Sequence, residues 1–538
     1  MRHPLLLLPL LLLVGCATRP APSPTAALLR AEAALAAGDS AGAVDDYLIA
    51  ARGSHDPELL GRAAAVAATV GRGAEARPLV DRWVEVAPVD ARARARRAVL
   101  AFEARELELA IADLAVVRAG SGALASAGLL LDQEPAARAQ RVLAAHAAAF
   151  PDEPMIQFAL ASVAWRAADL ATAERACAQA LALDADWDDA LLLAARVAVR
   201  RGAGGAALAT LGARVARPDA SQALRLAYQM LRAEDGDPDG ARRALAAEVV
   251  REPDAVLPRL SLAAVAAQQR DLDGASEALR PVSDAPPRDD VRLELGRIAE
   301  ERGASAEALL WYREVTGEEY ATAAAAGIAR VLAAAEGLAA ARAFLAATRV
   351  QHPGWAPTLL RIESELLRRH GAAREAQRLL GAALRTAPRD PALRYAHALA
   401  AVDAGSLRAA LADLRVLLAA TPDDPMLMNA LGYTLADAGR DLDEAETLLE
   451  AALTVAPDEA AILDSYGWLR YRRGDAASAR PYLERAYRLE DDAEIAAHLG
   501  EVLWALGERA AARGVWDAAR ARAPHDRVLA ATVARLVR

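Results

Sequence analysis

Gly38-Asp39-Ser40-Ala41-Gly42 has the spacing of a nucleophile elbow, in which a serine on a strand-to-helix turn attacks a carbonyl. That chemistry needs a strand before the serine. Here an alanine-rich stretch of helical character precedes it, so the five residues read as a turn between two helices. The histidines His3, His55, His146, His352, His370, His397, His498 and His525 show no metal-ligand spacing, and neither His-Glu-x-x-His nor Cys-x-x-Cys occurs. Two acidic clusters, Asp423-Asp424 and Glu490-Asp491-Asp492, lack the spaced oxygens and glycine of a calcium loop. They are expected to cap helices at turns. All 63 basic residues are arginine. Without lysine there is no phosphate-cradling Gly-Lys-Ser/Thr loop, no Schiff-base amine and no Ser–Lys dyad. No catalytic residue, metal or cofactor is expected.

The elements that would position any site repeat at one interval. Ala43, Ala76, Ala110, Ala139, Ala173, Ala207, Ala241, Ala275, Ala308, Ala341, Ala376, Ala410, Ala445, Ala479 and Ala512 are 33 to 35 residues apart, except for one step of 29 between Ala110 and Ala139. A period near 34 is the length of a helix–turn–helix unit that stacks on copies of itself. Between Pro425 and Pro457 the unit reads as a helix carrying Leu431 and Gly432, a turn at Gly439, and a second helix with Ala445, Leu449, Ala452 and Leu453 on one stripe. Glycines at 303, 337, 371, 405, 439, 474 and 507 mark the interhelix turns. Prolines at 353, 388, 422, 457 and 524 close repeats, and Pro78 and Pro481 are expected in the first turn of a second helix.

Composition agrees. Hydrophobic residues make up 54% of the chain but aromatics only 4%, which favours close-packed alanine- and leucine-rich helices over sheet. The net charge of −10 argues against nucleic-acid binding. From Thr421 onward 21 Asp and Glu face 14 Arg, so the last fifth carries most of the acidity.

The first residues, MRHPLLLLPLLLLVGC, place Arg2 before a leucine-rich core too short for a permanent membrane helix. Leu13-Val14-Gly15-Cys16 resembles a bacterial lipobox. That resemblance implies cleavage before Cys16 and its acylation, with several chains giving a stable anchor at roughly 0.8 kcal/mol per buried methylene. Ala17 at the following position implies the outer membrane, periplasmic face. Prolines at 20, 22 and 24 suggest an extended tether. Cys177, the other cysteine, is expected to be a buried small hydrophobe.

The Leu-Gly, Gly, Ala, apolar, Ala, Pro pattern resembles the tetratricopeptide repeat. It implies an all-α, right-handed superhelical solenoid of about fifteen helix pairs, with a concave groove lined by the first helix of each pair. The expected organisation is a signal peptide at 1–15, lipidated cysteine and tether at 16–25, degenerate repeats at 26–118, an irregular junction at 119–133, central repeats at 134–300, regular repeats at 301–524 and a capping helix at 525–538. On that geometry the groove would be lined by Asn429, Tyr433, Asp437, Asp464, Trp468, Tyr471, Arg472, Glu494, Glu501 and Trp504. Rigid aromatics with charged neighbours suit protein capture. Trp468 and Trp504 fit equally well as packing residues between repeats.

The stretches NALGYTLAD (429–437), AILDSYGWLRYRRGD (461–475), YLERAY (482–487) and EIAAHLGEVLWALG (494–507) resemble the C-terminal repeats of large outer-membrane tetratricopeptide lipoproteins of Gram-negative bacteria. That group includes the binding partner of the periplasmic carboxy-terminal processing protease. The resemblance implies a non-catalytic adaptor whose partners are that protease and peptidoglycan hydrolases. The alternative is a scaffold lipoprotein of an exopolysaccharide or pilus assembly machine.

Overall fold

The computed structural model describes residues 23–537 apart from 37–39, 70–71, 134–135, 284–287 and 525. Cys16 and the leader lie outside the described residues, as do Gly38 and Asp39. Thirty-one α-helices run in chain order from α1 (Pro24–Ala36) to α31 (Arg527–Leu536), and no strand occurs among the described residues. A helix, α1, precedes the motif and Ser40 itself opens α2 (Ser40–Ala51), so among the described residues no strand leads into the serine.

Each ladder alanine sits on the second helix of a pair. All are 2% exposed or less except the half-buried Ala207. Their smallness is what sets the spacing of the pair. Between α25 (Pro425–Asp437) and α26 (Leu442–Val455), a Cβ on Gly432 would stand 2.7 Å from Leu449 Cγ and 3.3 Å from the Ala445 carbonyl. Each helix packs on the next in sequence, and first helices also touch first helices of neighbouring pairs, as α25 does α27 (Ala460–Arg472). Second helices rarely do so. The stack is therefore curved, with first helices on the inside.

The short step is a trimmed connection. In α6 (Leu107–Ser121) the chain ends at Gly122, φ 84°, and α7 (Ala123–Gln133) follows at once. One core runs across the step, from Ala95 through Leu130 and Leu143 to Val197. Residues 119–133 are thus mostly helical. Pro78 and Pro481 are not in a first turn: each is the sixth residue of its helix (Gly73–Val86 and Ala476–Leu489). Those helices begin three residues before their ladder alanine, so each proline leaves one carbonyl in the preceding turn without its helical donor. Cys177 is buried in the core, and burial pushes its thiol up to about 12.

The interhelix turns need one residue in the left-handed region. The predicted glycines at 303, 337, 371, 405, 439, 474 and 507 all have positive φ, as do Gly53, Gly202 and Gly236. Three turns use Arg105, Ala168 and Arg270 instead, at φ 62°, 51° and 62°. A non-glycine residue there costs about 1–2 kcal/mol.

These exceptions lie where the coil returns on itself. The Asp458 N–H donates to the Ala168 carbonyl at 2.8 Å, and Leu170 N–H donates to the Asp458 carboxylate at 2.8 Å. The Ala168 methyl packs with Ala452, Ala456 and Ile462, a contact a glycine would forfeit. Arg270 donates to the Arg522 carbonyl at 3.1 Å. Two residues from Arg105, Glu103 shares Arg138 with Asp423. The Leu170–Asp458 bond spans 288 residues, about 8.5 repeats of 34, so the solenoid closes one superhelical turn and begins to stack a second on it.

Candidate protein-binding groove

The ten residues expected to line the groove fall on α25, α27 and α29 (Ala493–Ala505), three successive inner helices. Successive copies of one helix position stack on each other, so their side chains meet one repeat apart. Trp468 is 6% exposed. Its ring stacks on His498 at 4.1 Å between centroids, leans on Tyr471 at 5.3 Å, and its Nε1–H donates to Asp437 Oδ1 at 3.2 Å. It is a packing residue. Asp464 is buried and accepts from His498 Nδ1 at 2.9 and 3.0 Å. Glu501 is buried and accepts from Arg535 of α31 at 3.0 and 2.5 Å and from the Tyr471 hydroxyl at 3.3 Å. Arg535 thus ties the capping helix to the inner wall. Asn429 is also buried, its Oδ1 without a hydrogen-bond partner among the described residues.

The remaining six reach solvent. The Tyr433 hydroxyl donates to exposed Glu494 at 2.7 Å across two repeats, and burial followed by Glu494 raises its pKa. Arg472 donates to the Asp437 carbonyl at 2.6 Å and lies over the Trp468 ring at 5.7 Å. Trp504, half-buried, lies 5.7 Å from Trp516, with Arg509 and Arg513 over its face at 5.1 and 5.8 Å. The acidic clusters do cap: Asp424 accepts from Met426 N–H at 2.8 Å, and Asp492 from Glu494 N–H at 2.7 Å.

His498 has no metal-ligand spacing in the sequence. Its signal was its position 34 residues after Asp464, one repeat away. Burial lowers its pKa, but the Asp464 carboxylate overrides burial and the net direction is upward. The stabilisation is therefore complete below the ordinary value of about 6.5 and is lost as pH rises through the raised folded value. Thermal melts across neutral to mildly alkaline pH should show wild type losing stability more steeply than Asp464→Asn. Parallel pH profiles would remove the ion pair from the account.

A second stretch of the inner wall went unseen in the sequence. A cavity of about 750 Å³ lies along α17 (Asp289–Glu301), α19 (Glu318–Ala335), α21 (Ala356–Arg369) and α23 (Pro391–Asp403). Arg297, Arg330, Arg361, Arg368 and Arg369 line it with a single carboxylate, Glu365. Arginines are too frequent in this chain for any five to stand out.

Among the described residues no group of three or more His, Cys, Asp or Glu could hold a metal, and no helix is long and apolar enough to cross a membrane. Residues 260–324, 363–425, 395–463 and 429–494 match the tetratricopeptide repeat family. The chain is 37% identical over 214 residues to a TPR repeat-containing protein of Pseudomonas aeruginosa, a match covering 40% of this chain and 36% of that protein. It thus spans about a third of that relative's length. Among solved structures, a thermophilic TPR protein of Thermus thermophilus is 26% identical, with 34% of this chain and 99% of that one covered and a TM-score of 0.31. Yeast Tom70 is 13% identical, covering 76% and 97%, with a TM-score of 0.38. Residues 260–324 and 363–494 are thus similar to the tetratricopeptide repeat, and the same helix pairs and glycine turns run on through the described residues outside those segments.

Proposed function

We propose that this protein is a lipid-anchored, periplasm-facing scaffold of the outer membrane that brings a carboxy-terminal processing protease and its cell-wall hydrolase substrates together. Tetratricopeptide repeats are protein-binding units, and the inner wall is the observation that carries the reading. It presents two chemically different stretches on one coil, the tyrosine, tryptophan and acid wall of α25 to α29 and the arginine-lined cavity of α17 to α23. Two sites on one coil can hold two proteins at once. Co-binding raises effective concentration without new contacts between them. The acylated Cys16 would confine the assembly to the membrane surface.

The test is reconstitution. Purified full-length protein, a carboxy-terminal processing protease and a peptidoglycan hydrolase are mixed, and hydrolase cleavage is followed. Cleavage should accelerate by tenfold or more at limiting protease, as expected for roughly millimolar effective concentration. No acceleration, with polysaccharide- or pilus-assembly proteins recovered from solubilised membranes in place of the protease, overturns the reading in favour of the assembly scaffold. In cells, Cys16→Ser should move the protein from the membrane to the soluble fraction. Retention in the membrane would remove the anchor from the proposal.

A further inference from the structure

We propose that the arginine-lined cavity of α17, α19, α21 and α23 is a docking site for an extended, acidic protein segment carrying an apolar side chain between its carboxylates. The inference rests on the reading of the coil as a protein-binding scaffold and names the chemistry of one partner segment. The argument is one of unspent hydrogen-bond donors. A guanidinium carries five N–H donors and no acceptor. Arg361 is exposed and has no partner among the described residues. Arg297 engages one donor with Glu294 at 3.1 Å, and Arg369 one with Glu365 at 2.7 Å. Arg330 is committed to Glu300 through two bonds at 2.8 and 2.9 Å, and Arg368 to Asp403 and Glu365 at 2.6 and 2.8 Å.

Five guanidinium groups therefore face four carboxylates, with most of the surplus donors on Arg361, Arg369 and Arg297. This surplus stands in a protein whose net charge is −10. Beside the cavity, Arg527 of α31 donates to the Arg369 carbonyl at 3.4 Å. Carboxylates meet arginine in a fork geometry, so an acidic ligand fits this donor set.

The floor decides the rest of the ligand. Ile362, Leu366, Leu399 and Tyr395 lie between the arginines, and Ala326, Ala392 and Ala396 supply the depth. Tyr395 is 36% exposed, which offers an aromatic face to an incoming side chain. Small inorganic anions would leave this apolar floor uncovered. An extended chain along four stacked helices would place acidic and apolar groups alternately over them.

The probe is a fluorescein-labelled ten-residue peptide of alternating glutamate and leucine, with its glutamine counterpart, titrated into the full chain and followed by anisotropy. The glutamate peptide should bind and the glutamine peptide should bind at least tenfold more weakly. Arg361→Ala with Arg369→Ala should weaken the glutamate peptide by tenfold or more at unchanged helicity. Because Arg361 supports no internal bond, Arg361→Glu alone serves as a second variant that preserves the fold. Equal binding of both peptides, or wild-type affinity in both variants, overturns the proposal. So does an oligonucleotide of equal charge binding more tightly than the peptide. Hydrolase cleavage is measured on the same variants. Acceleration retained with no peptide binding removes this site alone, whereas peptide binding with no acceleration in wild type removes the protease-scaffold reading.

Discussion

Tyr312→Ala is expected to destabilise the middle of the coil by about 3–5 kcal/mol, the range for truncating a buried large aromatic. The ring belongs to α18 (Ser305–Arg313), is 1% exposed, and is wedged between two inner helices at glycines. A Cβ on Gly296 of α17 would stand 2.5 Å from it, and one on Gly327 of α19 would stand 2.4 Å away. Two missing side chains thus make the slot that the ring fills. The Tyr312 hydroxyl donates to Glu300 at 2.7 Å, and Glu300 holds Arg330 in the arginine-lined cavity. Truncation therefore loosens the site as well as the core.

Gly327→Leu should do comparable harm by the opposite route, forcing the ring out of a slot with no room to relax. Because each repeat is stabilised by its neighbours, the loss should be local. Hydrogen exchange should accelerate through α17 to α19 while α27 and α29 keep their protection. Uniform loss across the chain would show that the solenoid unfolds as one unit.

Asp458→Ala is expected to part the superhelical turns. Its carboxylate, 7% exposed, accepts from Leu170 N–H at the start of α10 (Leu170–Leu183) and from Arg485, so one side chain satisfies an orphan helix donor 288 residues away. Leaving that donor unmet in a buried seam costs about 1–3 kcal/mol. The loss acts on a contact between turns, so it should appear as shape before it appears as stability. Small-angle scattering should give a larger radius of gyration, and exchange should accelerate at residues 168–173. Asp458→Asn keeps an acceptor for Leu170 and should fall between alanine and wild type. Superimposable scattering from all three proteins would show that the other seam contacts, the packing around Ala168 and the Arg270–Arg522 and Arg138–Asp423 pairs, hold the turns without the Asp458 carboxylate.

The repeat itself was legible because its causes are local. An alanine at each pair interface, a glycine at most left-handed turns and a proline or capping acid at most junctions are demands of neighbouring residues, and they recur in register. The inner-wall assignment came from the resemblance to the tetratricopeptide repeat, and Tyr433, Tyr471 and Trp504 lie on α25, α27 and α29, the first helices of successive pairs. Burial within that wall was not legible. Whether Trp468 faces solvent or packs depends on His498, one repeat later, and on the Asp437 carboxylate one repeat earlier.

By itself, then, the sequence determined an all-helical stack of pairs and its period. These follow from side-chain size, backbone φ and periodicity, which act over one or two repeats. Tertiary structure alone decided three things: the return of the coil onto itself, the exemption of Ala168 and Arg270 from the glycine rule, and the convergence of Arg297, Arg361 and Arg369 on one cavity. The physical reason is that superhelical curvature sums small rotations over eight or nine pairs. No local pattern encodes that sum, and only at its end do residues nearly three hundred positions apart come into contact.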